Sequence, residues 1–142
     1  MSRIAVALLV FLFAVSFACK CRLPTPKKAF CGADWVGVFK VIQKNSYPDS
    51  LQVSYTVKVV KAFRAVYGVP TVASTNLLFT QYTSAACGIE GLENGKDYLL
   101  AGSASDGLQM NSCSQFEWGI EWENVPEDAK KSLEQGCYNP CN

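Results

Sequence analysis

Among its 142 residues the chain has no histidine. That one absence removes the Ser-His-Asp and Cys-His nucleophile–base pairs, the His-Glu-x-x-His zinc site and any imidazole general base. Carboxylates remain, but they gather in Glu117 to Glu134, a stretch that reads as surface, so no catalytic constellation is visible and an enzyme is not expected. Net charge is also lacking, with 13 Lys+Arg against 12 Asp+Glu. No Lys/Arg cluster is interleaved with aromatics, which argues against nucleic acid as a partner. No Asn-x-Ser/Thr sequon occurs (Asn111-Ser112-Cys113 does not qualify), so N-glycosylation is not expected. The one long apolar run, Ile4 to Phe13, is too short to span a bilayer comfortably.

That run has the anatomy of a secretory signal: Arg3 before it, and Ser16 and Ala18 as small residues at the −3 and −1 positions. The expectation is a leader over 1–18 and a mature domain over 19–142, secreted and free of the membrane once the leader is cut. A membrane anchor fits less well because a charged, proline-containing stretch follows Cys19. A bacterial lipoprotein signal fits poorly with Ser16 and Phe17. Cleavage after Ala18 would make Cys19 the first residue of the mature chain.

What is abundant is cysteine. All seven, Cys19, Cys21, Cys31, Cys87, Cys113, Cys137 and Cys141, lie beyond the leader. In an exported chain this reads as three bridges with one cysteine over, and spacing alone leaves the connectivity open. A zinc ribbon is weak, because Cys19-x-Cys21 has no later Cys-x-x-Cys and no histidine to complete it. Charge is lopsided along the chain. Residues 19–64 carry nine Lys/Arg against Asp34 and Asp49, and 90–134 carry ten acids against Lys96, Lys130 and Lys131. Such ends steer encounters, or are simply two solvated faces.

Pro24 and Pro26 fix φ and favour extended backbone, so the arm 19–31 is read as stiff and non-helical. Strands are expected at Trp35–Gln43, Leu51–Val60, Asn76–Tyr82, Asp97–Ala101 and Leu108–Phe116. The second alternates most cleanly, with Leu51, Val53, Tyr55, Val57 and Val59 on one face. Pro126, the acids Glu127 and Asp128, and Gly136 bracket a helix over Pro126–Gln135 whose Ala129 and Leu133 share a face with Val125. Trp35, Trp118 and Trp122 read as packing residues, Phe30 as the anchor of the arm in the barrel, and Lys27 and Lys28 as solvated. Five short strands and a terminal helix suggest a mainly β fold: a five-stranded Greek-key OB-fold barrel with a short C-terminal helix and a disulfide-pinned N-terminal arm. An immunoglobulin-like sandwich would need about seven strands and a Cys…Trp…Cys spacing that is not present.

The arm carries a specific resemblance. Cys19-x-Cys21, then Pro24 and Pro26, then Ala-Phe-Cys31 is similar to the mature start of the tissue inhibitors of metalloproteinases. Tyr-Thr-Ser-Ala-Ala-Cys87-Gly, Tyr-Leu-Leu-Ala-Gly102, Asp106-Gly107-Leu108, Ser112-Cys113-Ser114 and Gly136-Cys137 extend it over 19–142 as a single N-terminal-type, netrin-like domain. The resemblance implies the bridges Cys19–Cys87, Cys21–Cys113 and Cys31–Cys137. It implies a monomeric inhibitor with no cofactor of its own, whose Cys19 α-amino nitrogen and carbonyl oxygen bind the zinc held by a target metalloendopeptidase, such as a matrix metalloproteinase. Lys20 would enter the pocket beside that zinc, Cys21, Arg22 and Leu23 would lie along the cleft, and Ala85, Ala86, Cys87 and Gly88 would form a second contact.

Three residues depart from the family pattern. Lys20 stands where a small hydroxyl residue is usual, and Arg22 and Leu23 replace an apolar residue and a proline. The C-terminal subdomain of vertebrate members is expected to be absent. Cys141 is left open: free, joined to another chain, or competing with Cys137 for Cys31. The alternative function is a netrin-like module that binds a receptor, matrix or glycosaminoglycan, or modulates immune responses, without inhibiting a protease.

Overall fold

The computed structural model describes residues 19–47 and 49–141. The leader expected over 1–18 lies outside these residues. No helix among the described residues is long and apolar enough to cross a membrane.

The chain folds into helix α1 (Pro26–Gly32), strands β1 (Trp35–Ser46), β2 (Gln52–Ala65), β3 (Thr75–Gln81), β4 (Asp97–Gly102) and β5 (Leu108–Gln109), and helix α2 (Glu127–Glu134). The strands form one sheet in the order β4-β1-β2-β3-β5. β1, β2 and β3 are an antiparallel meander, β4 returns to pair antiparallel with β1, and β5 runs parallel to β3. Register shifts at Val36/Gly37, Val38/Phe39 and Val41/Gln43 interrupt the β1–β2 ladder. Such bulges bend a strand and raise its twist, which curls the sheet until its edges meet. They meet at one bridge, where Ser103 and Gln109 exchange two backbone hydrogen bonds of 2.9 Å. Gly102 permits that approach, since a Cβ there would strike the Gln109 carbonyl oxygen and the Trp35 ring. The architecture is the expected five-stranded barrel.

Apolar–polar alternation holds on β2, whose apolar face fills the barrel. On β2, Val53, Tyr55, Val57 and Val59 all point inward and are at most 1% exposed, whereas Leu51, before the strand, is 83% exposed. β1 and β4 lose alternation because both of their faces are buried. Trp35, Phe39, Val41, Tyr98 and Leu100 join the barrel interior. Val36, Val38, Leu99 and Ala101 face a second core made by α1, α2 and Phe116. α2 supplies Ala129 and Leu133 to that core, with Val125 just before it, as the helical spacing predicts.

Three expectations are corrected. The arm is not extended throughout. Pro26 occupies the first turn of α1, where a missing N–H costs nothing, and the Ala29 amide donates to the Thr25 carbonyl at 2.8 Å. Phe30 is buried in the second core, outside the barrel, against Tyr138 with ring centroids 5.6 Å apart. The fifth strand stops at Gln109 instead of running to Phe116. Asn111 Oδ1 accepts from the amides of Cys113 and Ser114 at 2.9 and 3.1 Å and winds 112–114 into a 3-10 turn. A short polar side chain that bonds the backbone locally competes in this way with the ladder.

Candidate functional site

Three segments converge at one edge of the barrel: the arm from Cys19 to Thr25, the turn Ser84–Ala86 with Cys87 and Gly88, and the turn Ser112–Ser114. Two disulfides join them. Cys19–Cys87 has its Cα atoms 5.1 Å apart, and Cys21–Cys113 has them 5.6 Å apart. The bridges lie against each other, with Cys113 Sγ 3.8 Å from Cys19 Sγ and 3.7 Å from Cys87 Sγ. The sulfur atoms of Cys19, Cys21 and Cys113 all lie within 4.8 Å of one another. All three are bonded in disulfides, so this cluster offers no thiolate to a metal. The bridges close sequence separations of 68 and 92 residues, and loops of that size restrict the unfolded chain by about 4–5 kcal/mol each in the entropy model.

Each anchoring cysteine is itself held by local hydrogen bonds. Thr83 Oγ1 accepts the Ala86 amide at 3.3 Å, and the Thr83 carbonyl accepts the Gly88 amide at 2.9 Å. Cys87 takes a left-handed backbone (φ 63°) with its amide on the Ser84 carbonyl at 3.0 Å. Gly88 must be glycine, because a Cβ there would overlap the Gln81 and Thr83 carbonyl oxygens. On the other side, Gln115 is 4% exposed. Its amide pairs with Ala101 of β4 like a neighbouring strand, accepting from Ala101 N–H at 3.0 Å and donating to Ala101 C=O at 2.9 Å. It also donates to the Asn111 carbonyl at 2.8 Å. Gln115 and Asn111 therefore place Cys113. The sequence assigns neither of them this role: Asn111 shows there only as part of a failed sequon, and a glutamine between Ser114 and Phe116 gives no signal.

The arm itself is bound almost entirely through its cysteines. No backbone–backbone hydrogen bond involves residues 19–24 among the described residues. Cys19 is half-buried, and Lys20, Cys21, Arg22, Leu23, Ala85 and Ala86 are exposed. Cys87 is half-buried and Gly88 buried. The structure thus brings the two expected contact segments together on one surface and leaves the peptide groups of the arm unpaired.

The third bridge differs from the pairing that the resemblance implied. Cys31 pairs with Cys141, Cα to Cα 5.3 Å, and Cys137 is free and exposed. The path of the tail explains this. The Cys137 amide donates to the Ser132 carbonyl at 2.9 Å and the Gly136 amide to the Leu133 carbonyl at 3.3 Å, the pair of bonds that closes a helix around a left-handed residue, here Gly136 (φ 69°), so α2 ends and the chain turns away at Cys137. Tyr138 then packs on Phe30, and the returning tail carries Cys141 beside Cys31. Arg64 braces the junction, donating to the Ala33 carbonyl at 2.7 Å and to Cys141 Sγ at 3.4 Å, with its guanidinium 5.7 Å from the Phe30 ring centre. Cys141 is neither free nor joined to another chain.

The tryptophans pack. Trp35 is fully buried, with its indole N–H on the Ser103 carbonyl at 2.9 Å. Trp118 stacks on Phe116 at 5.1 Å, and the ammonium groups of Lys61 and Lys130 lie 5.6 and 5.1 Å from the Trp122 ring centre.

Fold and edge together define a class: a small β-barrel that presents a cross-linked, exposed N-terminal arm. The chain belongs to the tissue inhibitor of metalloproteinase family, whose model matches residues 17–142. Among its relatives is tag-225 of Caenorhabditis elegans, named as a candidate metalloproteinase inhibitor, 30% identical over 151 residues that cover 92% of this chain and 94% of that protein. Metalloproteinase inhibitor 3 of Scyliorhinus torazame is 28% identical over 90% of this chain and 58% of its own length. Metalloproteinase inhibitor 2 of Homo sapiens is 27% identical over 95% of this chain and 66% of its own length.

Proposed function

We propose that the protein is a secreted inhibitor of zinc metalloendopeptidases. On this reading the leader is cut after Ala18, and the α-amino nitrogen and carbonyl oxygen of Cys19 bind the catalytic zinc of the target at the position a hydrolytic water would occupy. A free α-amine has a pKa of about 7.7–8, so it loses its proton to zinc at little cost near neutral pH. Lys20 enters the pocket beside the zinc, residues 21–23 lie along the cleft as an added strand, and Ala85, Ala86 and Cys87 form the second contact. The observation that carries this reading is the arm: exposed, unpaired along its backbone, and fixed by two disulfides. Its unpaired N–H and C=O groups are available to a cleft, and the bridges lower the ordering cost of binding.

Lys20 favours a second reading, a netrin-like binding module that does not inhibit. A lysine entering an apolar pocket must bury its stem while its charge reaches water or an acid. The test is to titrate correctly processed protein into a panel of zinc endopeptidases. Stoichiometric inhibition of at least one supports the inhibitor, and inhibition of none supports the binding module.

A further inference from the structure

A groove of about 380 Å³ opens beside the arm, and the same two disulfides create it by gathering its three walls. Leu23 of the arm forms one side, Ile89 the second, and Phe116 and Ile120 the third. Ile89 and Phe116 are 6% and 2% exposed and so make firm walls, while Leu23 is 44% exposed. Two carboxylates, Glu90 and Glu117, stand among these apolar walls, and no Lys or Arg lines the groove. Both are exposed, and neither joins an ion pair among the described residues. Glu90 Oε1 accepts only the Ser84 amide, at 3.3 Å.

An apolar trough with unpaired acids at its lip suits an apolar side chain that has a cation next to it. Leu23 belongs at once to this wall and to the inhibitory arm, so a body that covers the arm also covers the groove. We propose that the groove receives, from the same metalloendopeptidase whose zinc Cys19 binds, a surface loop beside the cleft carrying an apolar residue flanked by Lys or Arg. This rests on the inhibitory reading and adds to it a choice among targets: enzymes with a basic rim at that position are preferred.

The test compares wild-type protein with E90Q/E117Q and E90K/E117K against catalytic domains of zinc endopeptidases, at low and high salt, with thermal unfolding as the control for folding. Both positions are exposed, so the fold is expected to persist. The expected result is inhibition weakened about three- to tenfold by neutralisation and further by reversal, through slower association, with the difference shrinking as salt rises. Wild-type inhibition with unchanged potency and salt dependence in both variants overturns the groove assignment and leaves zinc binding by Cys19 standing. Wild-type protein that inhibits no enzyme overturns both. A second copy of the chain filling the groove would appear as a dimer that the variants dissociate without changing inhibition, and this too overturns the assignment.

Discussion

The Ser112 amide donates to the Cys87 carbonyl at 2.9 Å. The two loops that carry the anchors of the arm are thus hydrogen-bonded to each other as well as cross-linked to the arm, and neither cysteine can shift alone. Cys19 Sγ also lies 3.6 Å from Ser112 Oγ, at the same junction. Replacing Cys21 and Cys113 together with serine is therefore expected to keep the barrel while loosening the arm. Denaturant unfolding should show a loss of about 4–5 kcal/mol, and inhibition should fall further than residual stability explains.

Gln115 is the next position where a small change should have a large effect. Gln115→Leu keeps the bulk and removes the amide, leaving the buried Ala101 N–H and C=O without their side-chain partner. The expected cost in a denaturant titration is about 2–3 kcal/mol. A neutral result would mean that the Cys113 loop holds its place without this residue.

The third bridge makes an exclusive chemical prediction. In native protein a thiol alkylating reagent should label Cys137 alone, and peptide mapping should recover Cys31 linked to Cys141. Cys137→Ser should change stability by no more than about 0.5 kcal/mol, whereas Cys141→Ser should cost about 4–5 kcal/mol. The reverse pattern would restore the pairing of Cys31 with Cys137.

Tyr55 gives a pH signature of the closed barrel. Its phenol is raised above the ordinary value, chiefly by burial, while it donates to the Ile89 carbonyl at 3.1 Å. The folded state therefore holds this proton more tightly than the unfolded chain. The associated stability is complete below the unfolded phenol pKa of about 10 and is lost as pH rises through the higher folded value. Difference absorbance between wild type and Tyr55→Phe should place one tyrosinate transition above the usual range. Its appearance at the usual value would mean that Tyr55 is open to solvent.

Lys20 should set target choice. Lys20→Thr removes a charge from an exposed arm position and leaves the fold untouched, so potency against enzymes with apolar pockets should rise while unfolding stays the same. A variant equal to wild type across the panel would show that residue 20 does not enter the pocket.

Much of this molecule was legible in its residues. Val53, Tyr55, Val57 and Val59 announced β2 because they fill the barrel from one face while the other face carries polar residues, and Ala129 and Leu133 announced α2 through their spacing. α1 was hidden because Pro24 and Pro26 both signal extended backbone, and only the position of Pro26 as a first helical residue reverses its meaning. The short β5 depended on Asn111 capping a turn that Cys113 needs to reach Cys21: the cap is a local signal, but the bridge that selects it over a longer strand is a tertiary demand. For the site, Cys19, Cys21, Cys87 and Cys113 were readable as types with a known spacing. The partner of Cys31 depended on where Gly136 and Tyr138 send the tail.

The central claim is that a free Cys19 amine and its carbonyl bind the zinc of another protein. The most direct test titrates one zinc endopeptidase with processed protein and, in parallel, with the same protein acetylated at Cys19. The account predicts stoichiometric inhibition by the first and none by the second, with both samples folded alike. Equal inhibition by the two would contradict it.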